Sequence, residues 1–120
     1  MSMTELIEIL EENGKAVRAY GASARACRDR LKAHPDQSAA YFLLTVAAEN
    51  FVNAFDDQPL ISQRVEDEFL RFKSYIDLLH AAEQGGDADA KLATLNRIAT
   101  EIATNDLFRP TSEQTVDAKN

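Results

Sequence analysis

The stretch at residues 39–55 most restricts what this chain can fold into, because it is long, strongly apolar and free of Pro and Gly. Thirteen of its 17 residues are apolar, and it contains no Lys or Arg. A surface helix usually needs an apolar stripe along only part of its circumference. The stretch therefore predicts a buried helix with some apolar surface left over for a partner, a ligand or a second layer of protein.

A helical projection shows where that surplus lies. Ten of the thirteen apolar residues fall on one broad face, whereas Phe42 and Val46 fall on the opposite side with Glu49 and Asn53. A later helix carries a similar second strip opposite its core stripe. Two such strips favour a contiguous exposed patch of the kind found at association surfaces. The predicted partner-binding residues are Phe42, Val46, Glu49, Asn53, Leu70 and Leu78.

The first helix is expected to start after Thr4 and to end before Pro35. Asn13-Gly14 interrupts it with a typical break signal. However, Leu10, Val17, Ala24 and Leu31 follow one another at seven-residue spacing across that pair. The register favours one long helix that has at most a kink at Asn13-Gly14.

Three further helices follow, and no stretch shows the alternation of a strand. Helix two is predicted from the cap Asp36 to Phe55, helix three from Ser62 to Gly85, and helix four from Asp87 to about Phe108. Short connections make such neighbours antiparallel, so the predicted fold is all-α, an up-down-up-down four-helix bundle. Residues 1–108 form one domain in this interpretation, and residues 109–120 form a polar tail. The residues expected to be buried in helix four are Leu92, Leu95, Ile98, Ala99 and Ile102.

Composition excludes several classes of function. The net charge of −7 argues against general affinity for nucleic acid. The longest nearly unbroken apolar run, residues 39–48, is about half of the ~20 residues that a membrane-spanning helix needs. The first residues lack the features of a signal peptide, so a cytoplasmic location is expected. We predict no nucleic-acid or membrane partner.

No catalytic or cofactor motif is present, so a non-enzymatic protein without a cofactor is predicted. Cys27 is the only cysteine, and it lies on the apolar stripe of the first helix, where a small buried hydrophobe is expected. Asp77 and His80 have the i, i+3 spacing of helical metal sites. They fall on a polar flank with Lys73, however, and a solvated Lys73–Asp77 pair explains them better.

Two charged groups remain as candidate surfaces. Acidic residues surround the start of helix three: Asp56, Asp57, Glu66, Asp67 and Glu68. The helix dipole favours carboxylates there, but an acidic patch would also suit a basic partner protein. Basic residues follow one flank of the first helix: Arg18, Arg25, Arg28 and Lys32. They suit either an anionic partner or acidic residues within the same molecule.

The preferred functional hypothesis is a small acidic helical protein that acts through protein contacts, as a homodimer or an adaptor. The first alternative is an acidic inhibitor or immunity-type protein for a basic partner. The second is a ligand- or metal-binding bundle that uses Glu49, Asp77 and His80.

Overall fold

The computed structural model describes residues 3–104, which contain five α-helices, one 3₁₀ turn and no strand within that range. The predicted all-α class is confirmed. The predicted end of the last helix at Phe108 and the polar tail at residues 109–120 lie outside the described residues. The elements are α1 Glu5–Glu12, α2 Val17–Ala33, the 3₁₀ turn Pro35–Gln37, α3 Ser38–Phe55, α4 Ser62–Gly85 and α5 Ala88–Thr104.

The chain reverses direction after α1, so the prediction of one long first helix was wrong. Gly14 has a φ of +88°, the left-handed conformation that favours glycine just past a helix end. The Lys15 N–H donates to the Leu10 carbonyl at 2.9 Å, and the Gly14 N–H donates to the Glu11 carbonyl at 3.5 Å. This pair of bonds is a Schellman motif. Asn13-Gly14 is therefore a helix stop and not a kink.

An ion pair shows how far the reversal goes. The Arg30 guanidinium donates to the Glu5 carboxylate at 2.9 Å, so the start of α1 lies beside the end of α2. In one continuous helix these residues would be about 37 Å apart. The seven-residue spacing survives because Leu10 and Ala24 face the same core from two different helices.

α2 and α3 form an antiparallel pair around the centre of the core. The His34 ring at the end of α2 lies 6.4 Å from the Tyr41 ring near the start of α3. At the other end, Tyr20 stacks on Phe51 at 3.9 Å. The Phe72 ring of α4 meets Tyr20 edge-on at 5.3 Å, which brings α4 into the same core.

α3 is the most deeply embedded helix, because it contacts α2, α4 and α5. Its predicted broad apolar face is buried, and Phe51 and Phe55 are at most 1 % exposed. α4 buries the predicted stripe from Phe69 through Leu79. α1 contacts both α2 and α4. Since the predicted first helix is two helices, the four-helix up-down-up-down arrangement itself is not confirmed.

α5 begins at the predicted cap. Gly86 ends α4 with a φ of +72°. The Asp87 carboxylate then accepts the Asp89 N–H at 3.0 Å, which caps the start of α5. The turn chemistry predicted from Gly85-Gly86-Asp87 is thus present.

α5 lies against α3 and α4 along a narrow seam. Ile98 is its one fully buried residue, and Leu95 and Ile102 are partly buried against the core. Leu92 is 57 % exposed, so its predicted burial was wrong. It lies six residues before Ile98, about 120° around the helix axis from the seam.

Candidate interaction surface between α2 and α3

The structure divides the predicted partner-binding strip between two helices. On α3, Phe42 is 56 % exposed and Val46 is partly buried. On α4, Leu70 is 53 % exposed, whereas Leu78 is half-buried and packs against the core. Phe42 and Leu70 are therefore the members of the strip whose apolar side chains are mostly accessible.

Glu49 shows which way the exposed flank of α3 faces. Its carboxylate forms an ion pair with Arg28 of α2. Phe42 lies seven residues before Glu49, almost two full turns, so both side chains lie on one flank of the helix. Asn53, four residues after Glu49, continues this flank. The flank therefore borders α2.

An open groove of about 430 Å³ lies between the two helices at this flank. Only Arg25 Nη1, at 3.7 Å, would lie near a Cβ placed at Gly21, beyond the helix's own backbone. Part of the α2 wall is therefore bare backbone that an incoming side chain can approach. The lining residues are Gly21, Ala24, Arg25, Arg28, Glu49, Val52 and Asn53.

The α2 wall of the groove continues the basic flank predicted from the sequence. Arg28 has the internal acidic partner Glu49. Arg18, Arg25 and Lys32 are exposed and have no ion pair within residues 3–104. Three of the four predicted basic side chains are thus available for a partner, in a protein whose net charge is −7.

The predicted acidic cluster does not form one open surface. Glu68 is 3 % exposed and accepts a hydrogen bond from Arg64 Nε at 2.5 Å. Glu66 pairs with Lys15 at 3.4 Å, and Asp67 accepts from Gln63 at 2.8 Å. The remaining pair, Asp56 and Asp57, is exposed at the end of α3.

Burial dominates the electrostatics of Glu68. Desolvation raises the pKa of its carboxyl group, and the neighbouring Arg64 partly opposes this. Its Oε1 is buried without a hydrogen-bond partner within the described part of the chain. Glu68 lies four residues before Phe72, on the edge of the buried stripe, and this spacing is the sequence signal that indicates its burial.

A second polar cluster joins α1, α2 and α3. Arg30, 8 % exposed, binds Glu5 and lies beside Tyr41, which is buried. Burial raises the pKa of the neighbouring Cys27 thiol to about 12, although Arg30 and Thr45 act in the opposite direction. Cys27 is buried, as predicted, and its thiol stays protonated at neutral pH.

The candidate metal residues do not form a site. Lys73 Nζ lies 3.2 Å from Asp77, which confirms the predicted pair on an open flank. Glu49 is engaged by Arg28 on a different helix. Within residues 3–104, no group of three or more potential metal ligands comes together. None of the helices in this range combines the length and apolarity required to cross a membrane.

Comparison with protein-family models, curated proteins and solved structures finds no match for this chain. The interpretation of the α2–α3 surface therefore depends on its own geometry.

Sequence reasoning missed Gly21, which opens the groove. The available signal was a glycine inside a helix, a position that is unfavourable by about 1 kcal/mol relative to alanine. It lies between Arg18 and Arg25 on the basic flank. A small residue among long side chains on an exposed flank indicates a depression in the surface.

Proposed function

We propose that this protein is a small, non-enzymatic helical protein that acts through contacts with other protein molecules, in the first place with a second copy of itself. The supporting observation is Phe42, which is 56 % exposed on the flank that borders the groove between α2 and α3. Removing a phenylalanine side chain from water contributes about 1.5–3 kcal/mol.

The proposal depends on this juxtaposition and not on the number of exposed apolar residues. Ile61, Leu70 and Leu92 are also more than half exposed. Single exposed apolar side chains are normal on protein surfaces. Phe42 differs because a groove and a row of basic side chains lie on the same face of the molecule.

The proposal retains the cytoplasmic location and the up-down-up-down order of the main helices expected from the sequence. It also retains the expectation that neither nucleic acid nor a membrane is the partner.

Sedimentation equilibrium of wild type and Phe42→Glu tests the proposal. We expect wild type to self-associate and Phe42→Glu to weaken association by ~10-fold or more, because a charge would replace the apolar contact. Leu92→Glu is the matched control, since Leu92 is 57 % exposed on the distant α5. A strictly monomeric wild type, or equal weakening by both substitutions, would contradict the proposal.

Asp56 and Asp57 favour a second candidate function, regulation of a basic protein. Both are exposed and have no ion pair within the described residues. Binding of an oligolysine probe should weaken on reversal of both charges to lysine, and further at high salt. The control is Asp89→Lys, and an equal loss in the control would argue against a specific acidic site.

A further inference from the structure

We infer that the groove between α2 and α3 receives Phe42 of a second copy of this chain, and that the groove of that copy receives Phe42 in return. The two α2–α3 faces would then cover each other around a two-fold axis. This inference rests on the proposed function and names its partner and its central contact.

The first argument is the position of Phe42 along the α2–α3 pair. Tyr41 lies beside the C-terminal end of α2, because its ring meets His34 there. Phe42, the next residue, is therefore at that end of the face. Gly21 follows Tyr20, which stacks on the C-terminal part of α3 at the other end. The exposed ring and the open part of the groove thus lie at opposite ends of one surface.

The second argument is the symmetry of this surface. The ion pair between Arg28 and Glu49 bridges the two helices. Phe42 lies seven residues before Glu49, and Gly21 lies seven residues before Arg28. Because α2 and α3 are antiparallel, these equal offsets point in opposite directions, each about 10 Å from the ion pair.

A two-fold axis through the ion pair therefore brings Phe42 of each copy over Gly21 of the other. An interface of this kind is isologous, because one contact made twice satisfies both copies. A head-to-tail contact would leave one groove and one ring uncovered at the ends of the assembly.

The third argument is charge complementarity at the two ends of the face. Lys32, four residues after Arg28, lies at the end that carries Phe42. Asp56, seven residues after Glu49, lies at the end that carries Gly21. Both are exposed and have no ion pair within residues 3–104. Inversion about the axis brings Lys32 of one copy towards Asp56 of the other.

Arg25 adds a complementary contact at the groove itself. Its Nη1 lies 3.7 Å from the position of a Cβ on Gly21. A guanidinium at that place can contact the face of an incoming aromatic ring, which attracts cations. An apolar ring with an open groove, a cation beside that groove and opposite charges at the ends all favour a second copy over an unrelated acidic partner.

Cysteine cross-linking tests the pairing directly. Phe42→Cys and Gly21→Cys chains are prepared separately, then oxidised alone and as a mixture. We expect a disulfide-linked dimer in the mixture and little in either chain alone, because like positions are far apart across the axis. Cross-linking of Phe42→Cys alone as efficient as in the mixture would overturn the inference.

Filling the groove gives an independent test. Gly21→Leu should raise the dimer dissociation constant at least ~10-fold in sedimentation equilibrium, whereas Gly21→Ala, which adds one carbon, should change it less. Thermal unfolding of both variants checks that the monomer is folded. A wild-type dimer that persists in Gly21→Leu overturns the groove pairing and leaves the proposed function standing. A monomeric wild type overturns both.

Discussion

α3 and α5 are nearly equal in length, 18 and 17 residues, but the protein treats them very differently. α3 has eight buried residues, whereas α5 has one, Ile98. α3 contacts three other helices, while α5 contacts only α3 and α4. The difference shows that burial depends on how many neighbours surround a helix, and that an amphipathic pattern alone does not determine it.

The largest expected effect is at the embedded helix. Phe51 of α3 is fully buried between the rings of Tyr20, at 3.9 Å, and Phe55, at 4.9 Å. Phe51→Ala should lower the free energy of unfolding by about 3–5 kcal/mol, because it removes apolar burial and leaves a cavity among packed rings. Urea denaturation measures the change. A loss below about 1 kcal/mol would mean that α3 is not the centre of the core.

A smaller effect is expected at α5. Ile98→Ala should cost about 2 kcal/mol, the lower end of the range for such truncations, because few other contacts hold this helix. Amide hydrogen exchange should show α5 opening at lower free energy than α3, already in wild type. Leu92→Ala is the control and should change stability by less than about 0.5 kcal/mol. Equal protection of α3 and α5 would remove the contrast between them.

The smallest expected effect concerns a charge in the embedded half. Because burial raises the pKa of Glu68 in the folded protein, ionisation of its carboxyl group disfavours the native state. As the pH falls through this raised pKa, the native carboxyl binds a proton before that of the unfolded chain does. The stability of wild type relative to Glu68→Gln should therefore decrease between about pH 4.5 and 7.5.

Urea denaturation of wild type and Glu68→Gln across this pH range measures that decrease. Asp67→Gln is the control, since the adjacent Asp67 is exposed. A pH-independent difference between wild type and Glu68→Gln would indicate that water reaches the core beside Arg64.

The helix classes, most of the core and the exposed position of Phe42 could be predicted from the sequence, because each follows from periodicity. The reversal at Gly14 could not be resolved in that way. A seven-residue spacing reports which side chains face the core, and it is the same for one helix and for two antiparallel helices around that core. The backbone bonds from Lys15 and Gly14, which close the Schellman motif, decide the matter.

The groove and the fate of the acidic cluster depend on neighbours that are distant in sequence. Lys15 reaches Glu66 across 51 positions, and Glu49 pairs with Arg28 of the preceding helix. A charge pattern along the chain contains no information on such pairs. It therefore suggested one acidic patch, where the structure has a buried carboxylate, two locally bonded ones and an exposed pair.

The 3₁₀ turn Pro35–Gln37 has a consequence for folding speed. It holds the ends of α2 and α3 so close that Ser38 Oγ donates to the Leu31 carbonyl at 3.1 Å. The two helices with the most extensive packing are therefore consecutive in the chain, and little loop entropy is lost before they meet. Proteins dominated by such local contacts fold in microseconds to milliseconds, and we expect the α2–α3 hairpin to form early in the folding of this chain.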